Sequence, residues 1–174
     1  MVTDIDDFFS VDANSKYQNL DGDFTIECWI YRVGSGENNA FASWAYYNAS
    51  VNGNWTWRYS NNTFQFVLYD AQVYIFAIEG ASGDFPADTW LHIALSRVGT
   101  GTNNLKMYVN GKLISQTSYN GTLMSGSSQP LKIGSANWGF GDYTLESYID
   151  DFRITKGTGR YTGDSTSEWG NFSE

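Results

Sequence analysis

Asp150 and Asp151 stand side by side in SYIDDFRITKGTGRYTG, Ser147 to Gly163, with Arg153 close behind. Paired carboxylates serve as acid and base in glycosidic cleavage, ligate hard cations, or keep a sheet edge soluble. Ile149, Phe152 and Ile154 supply the apolar positions of a strand here, and Asp is disfavoured in strands, so the acids need a reason. Retaining hydrolysis requires two carboxyl groups about 5 Å apart, whereas neighbouring strand residues point to opposite faces. Asp150 and Asp151 are therefore not expected to form a catalytic pair.

Asp150 shares parity with Phe152 and Ile154, and Asp7 shares parity with Phe9 and Val11. This places each carboxylate at the strand end of a row facing the core, where it must be compensated. One answer is a hard cation held by Asp150 and Asp7, with Asp23 of DGD a less favoured contributor. The other is that Asp150 accepts backbone N–H groups or pairs with Arg153 or Arg32, while Asp151 guards a sheet edge.

Nucleophilic catalysis finds no support. GxSxG is absent, and the single histidine, His92, sits mid-strand among aliphatic residues. Cys28 shares parity with Phe24, Ile26 and Ile30 and reads as a buried small hydrophobe. GSGEN and GTGTNN lack the Lys and the strand-to-helix setting of a phosphate loop. The chain reads as non-enzymatic.

Sugar recognition needs flat apolar rings for C–H faces and fixed amides or carboxylates for hydroxyls. SANWGFGDYTLES offers Trp138, Phe140 and Tyr143 beside Asn137 and Asp142, in what reads as a Gly-rich loop before the final strand. Trp138, Asn137, Asp142 and Tyr143 are the candidate carbohydrate-binding set, against a purely structural role for the indole. NGNWTWRYSNN gathers Trp55, Trp57 and Tyr59, whose alternation defines one strand face and favours a core role. Trp169 and Phe172 follow the last strand in an acidic tail and either fold back over the domain or dock onto a partner.

The elements that must position these residues are short alternating runs separated by Gly, Asn, Asp and Ser clusters, the rhythm of an antiparallel sandwich. Candidate strands are DDFFSV, FTIECWIYR, NAFASWAYY, WTWRYS, TFQFVLYD, VYIFAIEG, WLHIALSRV, LKMYVNGKLISQTS, PLKIGSAN and SYIDDFRIT. Asn110-Gly111 between alternating runs predicts a type I′ hairpin. Leu91, Ile93 and Leu95 oppose Trp90, His92 and Ala94, and Met107 and Val109 oppose Lys106 and Tyr108. The 174 residues suit one domain, with a C-terminal tail over about 161–174.

Formal charge is -9 and Lys and Arg nowhere cluster, which argues against nucleic acid as a partner. No window approaches a membrane span, and MVTDIDDFFSV lacks the order of a signal peptide. Synthesis in a cytoplasm is expected.

GDFTIECWIYR (22–32), DTWLHIALSR with NNLKMYVNGKLI (88–114), and LKIGS leading to YIDDFRITKGTGRYTG (131–163) together resemble the laminin-G-like, concanavalin-A-like jelly-roll domains. The resemblance implies an all-β jelly-roll sandwich of two antiparallel sheets. Laminarinase-type hydrolases of that fold carry E-x-D-x-x-E on one strand, and no segment here matches it. Related sandwiches hold a structural Ca²⁺ near the equivalent terminal Asp, where first and last strands lie together, which implies Ca²⁺ as the cation at Asp150. The terminal DDFRIT-K-G-x-x-RYTG looks like modules of tailed bacteriophages. It implies a virion-associated fibre or decoration protein that binds host-surface glycans, with other virion subunits or a second copy as protein partners. The alternatives are a virion scaffold making protein contacts only and a fragment of a bacterial adhesin.

Overall fold

The computed structural model describes residues 8–34, 39–44, 52–81, 83–125, 129–138, 141–144 and 147–163, and the side chains at 137, 138 and 141–144 lie outside that description. Its described elements are strands. A six-stranded antiparallel sheet runs in the order β1 (Phe9–Val11), β10 (Leu131–Ile133), β3 (Asn39–Trp44), β4 (Asn54–Ser60), β5 (Thr63–Asp70) and β6 (Val73–Glu79). A five-stranded one runs β13 (Ser147–Lys156), β2 (Phe24–Arg32), β7 (Trp90–Arg97), β8 (Leu105–Val109) and β9 (Lys112–Thr117). β11 (Ser135–Trp138) and β12 (Gly141–Thr144) form a separate hairpin. The jelly-roll sandwich expected from the sequence is the fold observed.

The core lies between the sheets. Phe24, Ile26, Cys28 and Ile30 of β2 and Leu91, Ile93 and Leu95 of β7 face Trp44, Trp55, Trp57, Phe64 and Phe66 of the other sheet, all buried. Two-residue periodicity alone sorts these strands into a core row and an outer row. Trp55, Trp57 and Tyr59 are therefore core, with Trp57 stacked on Phe64 at 5.7 Å and Tyr59 on Phe85 at 5.8 Å. Cys28 is buried, and desolvation pushes its thiol pKa far up, as suits an inert hydrophobe.

Turn chemistry fixes the registers. Asn110 and Gly111 have φ of 48° and 77°, as a type I′ hairpin between β8 and β9 requires. Asn61 and Asn62, at 52° and 59°, do the same between β4 and β5. The loop at Gly53 packs against 122–124 so closely that a Cβ at Gly53 would lie 2.1 Å from the Thr122 carbonyl oxygen.

β13 departs from its expected parity. Ile149 opposes Ile30 while Ile154 opposes Ile26, so five steps on β13 span four on β2. The extra residue is absorbed by a bulge between Asp150 and Arg153, with Asp151 at φ 47°. Ile149, Phe152 and Ile154 all pack against the core despite their mixed parity.

Candidate functional site

The bulge corrects the reading of Asp150. Its partner on β2 is Trp29, so it stands in the outer row of the sheet, exposed, and not in the row of Phe152 and Ile154. Its Oδ1 accepts the Asp151 N–H at 2.8 Å. The Asp151 carboxylate pairs with Arg153 at 2.7 Å. Of the compensations expected, the backbone N–H is present, and the arginine goes to the neighbouring acid. Asp150 and Asp151 both contribute to the lining of one cleft of about 150 Å³ with Phe9, Ile133, Gly134, Ile149 and Phe152. First and last strands do not pair, since β1 bonds β10 and β13 bonds β2. They are edges of opposite sheets, and the cleft opens between them. Asp7 lies outside the described residues. Among the described residues, no three His, Cys, Asp or Glu side chains converge to hold a metal ion.

The outer face of the five-stranded sheet carries four rows set by strand register. Tyr148, Tyr31 and Trp90 form the first row, and Asp150, Trp29 and His92 the second. Arg153, Glu27, Ala94 and Tyr108 make the third, then Thr155, Thr25, Ser96 and Lys106 the fourth. Tyr31 meets Trp90 and Tyr148 edge-on at 5.8 and 5.7 Å, and Trp29 meets His92 at 5.2 Å. Trp90 is 46% exposed, whereas the tryptophans of β3 and β4 are buried.

The last two rows are covered by the chain itself. Gly157 turns the backbone with φ 81°, and residues 158–163 cross back over the sheet as a strap. Thr25 Oγ1 donates to the Thr158 carbonyl at 3.1 Å and accepts the Arg160 N–H at 2.9 Å. The Tyr161 N–H bonds Ser96 Oγ at 3.3 Å, and Lys106 Nζ donates to the Thr162 carbonyl. Tyr161 lies against Tyr108 and His92 and donates its hydroxyl to Glu27.

Glu27 is thereby a buried carboxylate with four partners. Besides Tyr161, it has His92 Nε2 at 3.5 Å, Arg160 at 3.6 Å and Arg153 at 3.7 Å. Desolvation pushes its pKa up, but the His92 and Tyr161 hydrogen bonds and the Arg160 charge outweigh it, so the net shift is downward. Burial and the adjacent carboxylate push the Tyr161 phenol well above its ordinary range. Glu27 is thus held as a buried anion, poorly suited to taking up a proton or to carrying one for transfer.

Among the described residues, nothing covers the other half of the face, which carries three aromatic rings in register with a fourth beside a carboxylate. That arrangement can stack on the C–H face of a pyranose or furanose and accept from its hydroxyls. Neither this use of Asp150 nor the role of Trp90, Tyr31, Tyr148 and Trp29 was drawn from the sequence. The signal was present: where β2 and β7 alternate with certain core residues, their outward positions at one end are Trp29, Tyr31 and Trp90. The expected set is differently placed. Asn137 opposes Asp142 in the β11–β12 register, Trp138 opposes Gly141, and Ala136 opposes Tyr143, so the predicted loop is a hairpin. It packs along β3, where Ser43 Oγ donates to the Ser135 carbonyl at 2.9 Å. Residues 164–174, with Trp169 and Phe172, lie outside the described residues.

Several solved structures share this fold. The binding domain of Paraclostridial Mosquitocidal Protein 1 aligns with TM-score 0.65 at 19% identity, over 92% of this chain and 39% of its own. The binding domain of botulinum neurotoxin DC, in complex with SialylT, aligns with TM-score 0.57 at 18% identity, over 84% of this chain and 35% of its own. Domain 4 of a GH43 extracellular arabinanase from Geobacillus stearothermophilus, in complex with arabinotriose, aligns with TM-score 0.54 at 16% identity, over 91% of this chain and 69% of its own. At such identities the likeness is one of fold, and the chain spans well under half of each toxin binding domain. No curated protein matches the sequence. Residues 6–158 match the concanavalin A-like lectin/glucanases superfamily, and on a match over most of its length the chain belongs to that superfamily.

Proposed function

We propose that this domain binds carbohydrate without cleaving it, on the open half of the outer face of the five-stranded sheet. The observation that carries the reading is the in-register row Tyr148–Tyr31–Trp90, with an exposed indole at one end and Trp29 and Asp150 in the next row. Fold relatives solved with arabinotriose and with SialylT support sugar as the ligand class. A non-catalytic role is supported by the states of the nearby acids, since Glu27 is sealed and Asp151 is paired with Arg153. A glycan array probed with wild type, Trp90→Ala and Trp138→Ala tests the reading. Binding weakened at least tenfold by Trp90→Ala and retained by Trp138→Ala is expected; the reverse pattern moves the site to the β11–β12 hairpin.

Two further proposals accompany it. The likeness of the terminal DDFRITKGTGRYTG to phage modules supports a place on a virion, as fibre or decoration subunit presenting this face to a host glycan. Its presence in purified particles tests that, and fixed stoichiometry there without glycan binding favours the scaffold role. A structural Ca²⁺ held by Asp150 with Asp7 is supported by the acidic lip of the cleft beside Phe9. A melting temperature lowered by chelator supports the ion, and an unchanged one removes it.

A further inference from the structure

The charge of the open half-face narrows the ligand, an argument that rests on the carbohydrate reading above. Of the ten lysines and arginines in the chain, three reach the outer face of the five-stranded sheet: Arg153, Arg160 and Lys106. All three sit at the covered end. Arg153 is committed to Asp151 and Glu27, Arg160 to Glu27 at 3.6 Å and Thr155 at 3.2 Å, and Lys106 to the Thr162 carbonyl. The two open rows hold four aromatic side chains, buried His92 and Asp150. Asp88, two residues before Trp90 in the chain, accepts the Gly34 N–H at 2.9 Å and adds a second negative charge near that end of the first row. Asp150 is exposed and accepts the Asp151 N–H on Oδ1.

We infer that the open half-face takes uncharged glycans and rejects those carrying carboxylate, sulfate or phosphate, with Asp150 as the residue that sets the preference. A hydroxyl-bearing sugar can donate to the Asp150 carboxylate. An anionic sugar finds repulsion there and no lysine or arginine in the two open rows to offset it, a penalty of about five- to tenfold for each water-exposed like-charge contact.

Matched pairs test this: lactose against sialyllactose, galactan against polygalacturonate, and xylan against glucuronoxylan, titrated into the whole chain at low and high salt. Neutral members binding about five- to tenfold more tightly than their acidic counterparts, with the gap narrowing in salt, is the expected result. Asp150→Asn preserves an oxygen for the Asp151 N–H and should keep the fold, as its melting temperature will report. It should close most of the gap, and Asp150→Lys should reverse it. Acidic members bound as tightly as neutral ones through Trp90, or a gap unmoved by Asp150→Asn in a folded variant, overturns this inference alone. No binding by any member overturns the carbohydrate reading and this inference with it.

Discussion

Trp90 and Trp57 show how one residue type takes opposite roles through strand parity. Trp57 faces inward, fully buried against Phe64 and Phe66, and its replacement by Ala should cost about 3–5 kcal/mol. Trp90 faces outward and is half exposed, so Trp90→Ala should leave the urea midpoint within about 1 kcal/mol of wild type while abolishing most glycan affinity. Glu27 gives a pH signature. Its folded pKa is lowered, so its contribution to stability is present above the ordinary carboxylate value of about 4.3 and is lost as pH falls through the depressed folded value. Denaturant titrations from pH 6 down to pH 3, taken as roughly the window around that value, should show wild type losing more stability than Glu27→Gln. Equal slopes would remove Glu27 as a compensated anion.

At the scale of elements, the bulge in β13 and the strap behind it divide the outer face into an open and a covered half. The strap depends on Gly159, where a Cβ would lie 2.3 Å from both the Arg97 carbonyl oxygen and Val98 Cγ2. Gly159→Ala should lift residues 158–163 and cost about 1–3 kcal/mol, with faster amide exchange at Tyr161 and freer access to Glu27. Unchanged exchange there would show the strap is held without that close approach. Most elements were legible in the sequence because each signal was local: β2, β5, β8 and β9 follow from alternation and β8–β9 from Asn110-Gly111. The bulge was not read, although Ile149 and Phe152, three positions apart, already break strict alternation; the register shift is what lets both pack against the core. The parity of Asp150 with Phe152 therefore misled, and the same error hid the pairing of Asp150 with Trp29. PLKIGSAN read as one strand for a similar reason, whereas Gly134, at φ 90°, separates β10 from β11.

For the whole molecule, the two sheets are tied by their aromatic core and by buried arginines at the rim. Arg97 is 1% exposed, donates to the Leu20 carbonyl at 2.9 Å and to that of Gly22 at 2.7 Å, and lies over the Phe24 ring. Arg97→Met should cost about 3 kcal/mol by stranding those carbonyls. Lysine should not rescue it, since one ammonium cannot span the same oxygens. Fold and superfamily were readable from the order of the three quoted stretches, but the site was not, because it brings together residues of β2, β7 and β13 that lie far apart in the chain, as Tyr31, Trp90 and Tyr148 do. The structure of the domain bound to its tightest array hit tests the central claim most directly. A sugar ring stacked on Trp90 with a hydroxyl on Asp150 is the predicted result, and a sugar seated on the β11–β12 hairpin, with the Tyr148–Tyr31–Trp90 row bare, would contradict it.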